Sequence, residues 1–301
     1  MPESTFLLCP GQGAQSVGMG AAGRDAPPAA HAVFEEADDL LGFSLSGLCS
    51  DGPAEMLNRT DMAQVAIYTD SVAAYRGRAS TGTLPEVTAA AGLSLGEFTA
   101  LHLAGAFSFA DGLRLVKLRG EAMQEAAEAS GGTMVALTGE VEEEAIVRLC
   151  DACRGDGVLV PANFNSPMQV VASGSVDACA RLAEAAGEAG YRATELSVAG
   201  AFHSPLMAPA AERLRAALDG VGWSPLTVPV YANVTAAPHE ADAESIKARL
   251  VEQLTAPVRW TQSMQRAAAD GHRDFLELPP GRVLGGLMRR IDRSLKVTPA
   301  A

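Results

Sequence analysis

Between residues 86 and 103 an apolar run, Glu86-Val87-Thr88-Ala89-Ala90-Ala91-Gly92, is interrupted by one polar side chain, Ser94, and resumes at once as a helical pattern over Glu97–Leu103. A buried strand that turns into a helix this abruptly needs residues without side-chain bulk at the turn. Gly92 and Gly96 stand two positions either side of the serine. Gly92-Leu93-Ser94-Leu95-Gly96 is the chain's single match to Gly-x-Ser-x-Gly, a spacing that lets a strained turn push the serine oxygen outward. The helix that follows aims backbone N–H groups at the place where an oxyanion would form. This feature restricts the chain to α/β architectures and points to nucleophilic chemistry at Ser94.

The rest of the chain reads in the same style. Phe6–Cys9 is a short buried strand stopped by Pro10 and Gly11, and helical periodicity follows around Ala30–Leu41, Met62–Arg76 and Ala110–Ala129. From Ser130-Gly131-Gly132 a regular alternation begins: strand Thr133–Thr138, helix Val141–Ala152, strands Val158–Asn163 and Gln169–Ser173 parted by Asn165-Ser166-Pro167, helix Val176–Ala189, strand Tyr191–Leu196. That βαββαβ order, complete in about 65 residues, is the ferredoxin-like arrangement. The expected organisation is therefore an α/β catalytic domain with a parallel sheet, residues 1–129 and 198–301, carrying a ferredoxin-like subdomain at 130–197. In the second part, a helix over Ser204–Leu218, a strand at Thr227–Tyr231, helices Ala243–Leu254 and Trp260–Ala269, a strand at Asp274–Leu278 and a closing helix to about Arg293 complete the reading.

Composition narrows the function classes. With 36 acidic and 23 basic residues the net charge is −13, which argues against nucleic acid and anionic membranes as partners. No apolar run reaches the roughly 18 residues of a membrane span. Met1-Pro2-Glu3 lacks the basic start of a secretory leader. Five cysteines, an odd number spread over 301 residues, fit reduced thiols in the cytoplasm. Cys150 and Cys153 form a C-x-x-C with no second pair at zinc spacing, so they read as ordinary helix residues.

A serine nucleophile needs a base. His31 and His102 fall within helical patterns, which leaves His203, His239 and His272. His203, in Ala201-Phe202-His203-Ser204-Pro205 at a loop-to-helix junction among apolar neighbours, best suits a desolvated neutral imidazole. Pro10-Gly11-Gln12-Gly13 follows the first strand and allows close backbone approach, with a second oxyanion N–H available at Gln12. The lysine of a phosphate loop is missing there. Arg119 shares a helix face with Leu115 and Val116 and so points inward. Spacing alone favours a protein carboxylate as its partner over a substrate one.

Together these blocks resemble the malonyl-CoA:acyl carrier protein transacylases and the acyltransferase domains of fatty-acid and polyketide synthases. The match is ordered along nearly the whole chain: Pro10–Gln15, Gly92–Glu97, Leu118-Arg119-Gly120, Asn163–Pro167, Gly200–Met207, Val230–Thr235, Gln253–Trp260 and Glu277–Leu284. The resemblance implies a hydrolase-like α/β fold with a ferredoxin-like insert, Ser94 as nucleophile and His203 as base. It further implies that the backbone carbonyl of Gln253 orients His203, that the amides of Gln12 and Leu95 form the oxyanion hole, and that Arg119 holds a malonyl carboxylate, which reverses the reading from spacing. Leu93 stands where most relatives carry histidine, a departure that touches the pocket rather than the nucleophile. Phe202 is similar to the residue of malonyl-selective relatives.

The implied reaction is ping-pong transfer of malonyl from malonyl-CoA to an acyl carrier protein by a monomer, with no metal or redox cofactor. It would supply fatty-acid synthesis, with a polyketide carrier as the alternative. Such carriers are acidic, so a chain at −13 needs local positive charge, and Arg289, Arg290, Arg293 and Lys296 are the expected docking residues. Two rivals stand beside this reading. A serine esterase or thioesterase explains Gly-x-Ser-x-Gly but gives Arg119 no role and expects its histidine later in the chain. A non-catalytic binding subunit leaves Ser94, His203, Arg119 and Gln12 without a purpose.

Overall fold

A computed structural model describes residues 4–20 and 26–300. Met1–Glu3, on which the argument against a leader rested, lie outside the described residues.

Two sheets organise the chain. In the first, β1 (Ser4–Cys9) pairs with β2 (Glu86–Gly92), both in parallel. The ferredoxin-like segment supplies β3 (Gly132–Thr138), β4 (Leu159–Ser166), β5 (Gln169–Ser175) and β6 (Arg192–Glu195). Three further strands, β7 (Val230–Tyr231), β8 (Asp274–Glu277) and β9 (Lys296–Pro299), return to the first sheet. That sheet runs β7-β2-β1-β8-β9 with every pairing parallel. The second runs β4-β5-β3-β6 with every pairing antiparallel, the strand order of a ferredoxin-like unit.

The parallel sheet is covered on both faces, which explains why its strands read as unbroken apolar runs. Along β1, Leu7 and Cys9 join the core made with helices Pro28–Leu41, Thr60–Ser80 and Phe109–Ser130. Phe6 and Leu8 face the opposite core, with Trp260, Met264 and Leu287. In the second sheet, Val135, Leu137, Val170 and Ala172 pack on helices Glu143–Arg154 and Val176–Ala185, a core that also takes Cys150, Cys153 and Cys179. Met134, Ala136 and Val171, on the other face, turn toward the large core. Alternation along β3 and β5 thus divides the subdomain's own core from its contact with the rest of the molecule.

Several boundaries differ from the sequence reading. β4 continues to Ser166, so Pro167-Met168 alone separates it from β5. The helix expected over Ser204–Leu218 opens as a 3-10 turn at Pro205–Met207 before Ala208–Leu218. The strand expected at Thr227–Tyr231 pairs only at Val230 and Tyr231. Two short helices, Leu45–Asp51 and Ala54–Leu57, and edge strand β9 had no counterpart in the sequence reading. No helix among the described residues is long and apolar enough to cross a membrane.

Candidate active site

β1 and β2 end side by side, with Cys9 opposite Gly92, so the loops beyond them meet at one end of the sheet. Their contact leaves no room for side chains. A Cβ on Gly11 would lie 2.3 Å from the Leu93 carbonyl oxygen, one on Gly92 1.9 Å from the Gly96 backbone, and one on Gly96 2.1 Å from the Cys9 carbonyl oxygen. The Gly-x-Ser-x-Gly spacing is therefore a packing requirement of strand, turn and helix. Ser94 between them has φ 54° and ψ −103°, a conformation costly for any residue but glycine.

A side chain from just beyond the neighbouring strand holds that turn. Asn233, just past β7, accepts the Ser94 N–H at Oδ1 (2.7 Å) and donates from Nδ2 to the Gly92 carbonyl (2.7 Å). Asn233 fell within the Val230–Thr235 block of the resemblance, but the sequence reading gave it no role. A polar residue directly after the apolar Val230-Tyr231-Ala232 was its one visible signal.

His203 lies 2.8 Å from Ser94 Oγ through Nε2, and its Nδ1 is 2.7 Å from the Gln253 carbonyl oxygen. A carbonyl only accepts, so Nδ1 carries the proton and Nε2 is the acceptor for the Ser94 hydroxyl. His203 also sits at positive φ, 55°. Burial lowers its pKa to about 4, the Arg119 charge adds to this, and the Gln253 carbonyl opposes it. The imidazole is thus neutral at working pH, as a general base must be. His239 and His272 do not reach the serine: His239 pairs with Glu97, and the His272 ring packs against Phe6 and Tyr231.

Arg119, from the middle of helix Phe109–Ser130, is 1% exposed. It donates from Nη1 to Gln64 Oε1 (2.8 Å), and from Nη2 to Gln253 Oε1 (2.9 Å) and to Ser94 Oγ (3.0 Å). Its Nε is buried without a partner. The protein carboxylate that spacing favoured is not there: all three acceptors are neutral. Burial pulls the guanidinium down to about 9, and nearby Glu97 counters this, so it stays charged at neutral pH. Gln64, one of its partners, was also absent from the sequence reading.

Leu95 opens helix Leu95–Leu103, where the first N–H groups have no acceptor within the helix, and Gln12 lies in the turn after β1. Gln12 lines a cavity of about 520 Å³, and Leu95 follows Ser94 at its edge in sequence. Gln12, Leu93, Ser94, Phe202 and His203 line one side, and Met134 and Val171 of the antiparallel sheet line the other. Val283 and Leu287, from closing helix Val283–Ile291, complete the wall. Of the expected docking residues, Arg289 and Arg290 sit exposed in the last turn of that helix, Arg293 is exposed just after it, and Lys296 opens β9 with its Nζ 3.8 Å from Asp274.

A strained serine on an α/β elbow, hydrogen-bonded to a neutral histidine and touched by a buried guanidinium, defines an acyl-transfer site of the hydrolase-like type. The sequence profile described as "Acyl transferase domain" matches residues 5–298, and the chain belongs to that family of acyltransferases. It is 43% identical over 298 residues to "Malonyl CoA-acyl carrier protein transacylase" of Bacillus subtilis (strain 168), covering 98% of this chain and 92% of that one. Among solved structures, the malonyl CoA-acyl carrier protein transacylase of Coxiella burnetii superimposes with a TM-score of 0.95 at 36% identity, covering 99% and 94% of the two chains. A malonyl-transacylase solved in complex with a type II PKS acyl-carrier protein superimposes with a TM-score of 0.93 at 40% identity, covering 99% and 95%.

Proposed function

We propose that this enzyme transfers malonyl from malonyl-CoA to the phosphopantetheine thiol of an acyl carrier protein, through a malonyl ester on Ser94. One observation carries the malonyl assignment. Arg119 is buried, charged and free of any carboxylate partner among the described residues, and its Nη2 lies 3.0 Å from the nucleophilic oxygen. An acyl group esterified to Ser94 and ending in a carboxylate would place that carboxylate within reach of the guanidinium. An acetyl group would bring no carboxylate to the guanidinium. The names of the relatives support the same substrates.

In the first half-reaction Ser94 Oγ bonds to the thioester carbon while its proton passes to His203 Nε2. The Gln12 and Leu95 amides receive the oxyanion. Collapse breaks the carbon–sulfur bond, and the proton from His203 goes to the departing CoA thiolate. In the second, His203 takes the proton of the carrier thiol, sulfur attacks the ester, and the proton returns to Ser94. Side chains and backbone amides carry every step of this scheme. The carrier is that of fatty-acid synthesis in the cytoplasm. Residues 1–129 with 198–301 act as the catalytic domain, and 130–197 as a subdomain walling the acyl cavity. Arg289, Arg290, Arg293 and Lys296 form the docking surface, and the enzyme works as a monomer.

Intact-protein mass tests the route. Malonyl-CoA should add one malonyl to the protein, and holo carrier should then remove it while gaining it. Free malonate with an unmodified carrier would instead establish a hydrolase. Arg119→Ala should lose the malonyl preference, a change to which an esterase would be indifferent.

A further inference from the structure

Behind Ser94 lies a buried acid that the scheme above does not use. Glu97, in the first turn of the elbow helix, is fully buried, and so is the side chain of His239 beside it. Glu97 accepts three hydrogen bonds: His239 Nε2 to Oε1 (2.7 Å), Gln253 Nε2 to Oε2 (2.6 Å) and the Asn233 N–H to Oε2 (3.2 Å). His239 Nδ1 is buried without a partner, so a protonated ring would leave an N–H unsatisfied there. A neutral ring donating from Nε2 leaves only a bare lone pair. Glu97 is also the carboxylate whose field acts on Arg119.

The positive charge that answers it is Arg119, at one remove. Gln253 joins the two: its Nε2 donates to Glu97 while its Oε1 accepts from Arg119 Nη2. The carboxylate thus fixes which way the Gln253 amide points, and the amide presents an acceptor to the guanidinium. A carboxylate placed directly on Arg119 would fill the position that an acyl carboxylate needs.

We propose that Glu97 is a positioning residue that supplies the countercharge of Arg119 through the Gln253 amide, and so tunes how strongly the site favours acyl groups bearing a carboxylate. The inference rests on the malonyl reading given above and deepens it. In the empty site Arg119 faces Glu97 across the Gln253 amide. A malonyl carboxylate enters as a second negative charge and is held less tightly than a lone guanidinium would hold it, which lets it leave with the acyl group.

The readout is the ratio of Ser94 acylation rates by malonyl-CoA and acetyl-CoA at low concentration, followed by intact-protein mass. Glu97→Gln is near-isosteric. Its oxygen still meets Gln253 and Asn233, and its N–H meets His239 Nε2 only when the ring proton moves to the unpartnered Nδ1, which costs some stability. Loss of the charge should raise the malonyl-to-acetyl ratio about three- to tenfold. Structural damage would slow both acyl groups together and leave the ratio unchanged. Misalignment of Arg119 would lower it. Either result overturns the proposal. Gln64→Glu tests the opposite sign without touching Glu97, by placing a carboxylate directly on Arg119 Nη1. It should lower the ratio about tenfold or more, and the double variant Glu97→Gln/Gln64→Glu should recover most of the loss. An unchanged ratio in Gln64→Glu would overturn the proposal even if Glu97→Gln did not fold. Wild-type protein that malonyl-CoA does not acylate would sink the functional reading, and this inference with it. Failure of the inference alone would show in the variants while the wild type still takes malonyl.

Discussion

His203 gives the site its sharpest pH signature. Burial holds its pKa near 4, so the free enzyme keeps a neutral base far into acid. The acid limb of kcat/KM for malonyl-CoA should fall near that value. An ordinary limb near pH 6.5 would show an exposed histidine instead. Part of the lowering comes from Arg119, and on the proposed route the malonyl carboxylate would neutralise that charge once the acyl-enzyme forms. In ping-pong kinetics kcat/KM for the carrier reports the acyl-enzyme, so its acid limb should lie at higher pH than that for malonyl-CoA. Asn233 makes a second residue-scale case. Asn233→Ala removes both bonds that hold the Ser94 turn, so it should cost about 2 kcal/mol of stability and lower kcat roughly 10- to 100-fold, read by denaturant unfolding and steady-state rates. The serine, the histidine and the inward-facing arginine were legible in the sequence because each carries a local mark: glycine spacing, a loop-to-helix junction, a helix face. Asn233, Gln64 and His239 act through partners 55 to 142 residues away, and no local pattern encodes such a pairing. Arg119 shows the limit from the other side. Its burial was readable from periodicity, whereas its neutral acceptors depended on the fold.

Elements with a strong period were found nearly in place, since an apolar stripe at 3.6 or 2 residues is what burial against a core requires. Those that were missed have no stripe to read. β9 exposes three of its four residues on the sheet edge, and the Leu45–Asp51 helix is interrupted by Gly47 and two serines. β9 nevertheless matters to the site, because it flanks β8, whose last residue caps the helix lining the cavity. Glu277 accepts the Leu284 and Gly285 N–H groups at its two carboxyl oxygens, both at 2.8 Å. Burial raises its pKa, and those two amides and the nearby arginines resist the rise. Glu277→Gln keeps the shape but exchanges one acceptor for a donor facing an N–H. It should cost about 1–2 kcal/mol in denaturant unfolding and raise KM for malonyl-CoA more than it lowers kcat, because Val283 and Leu287 shift while Ser94 and His203 do not. An equal loss in kcat would show that the cap reaches the nucleophile as well.

At the scale of the molecule, the dry site that makes His203 a competent base also makes the fold sensitive to acid. Both His203 and His102 are buried enough that their pKa values fall to about 4, the latter with its Nδ1 2.9 Å from the Phe107 carbonyl oxygen. In the unfolded chain both return to about 6.5. Between these values the unfolded state binds more protons than the native one, so protonation pulls the equilibrium toward unfolding. Stability from this source is complete above about pH 6.5, declines as pH falls toward 4, and levels off below. Asp270 and Asp292, whose pKa values are lowered chiefly by side-chain hydrogen bonds from Tyr231 and Ser294, act in the same direction at lower pH, and Glu277, raised by burial, opposes them. Each histidine contributes up to about 3 kcal/mol, a large share of an ordinary domain's margin. Urea unfolding at pH 7.5 and pH 4.5 should therefore differ by several kcal/mol. His203→Gln, which cannot titrate, should reduce that difference by about half while abolishing transfer. If the variant kept the full pH dependence, the acid sensitivity would lie elsewhere, and the buried dyad would not be what ties catalysis to stability in this fold.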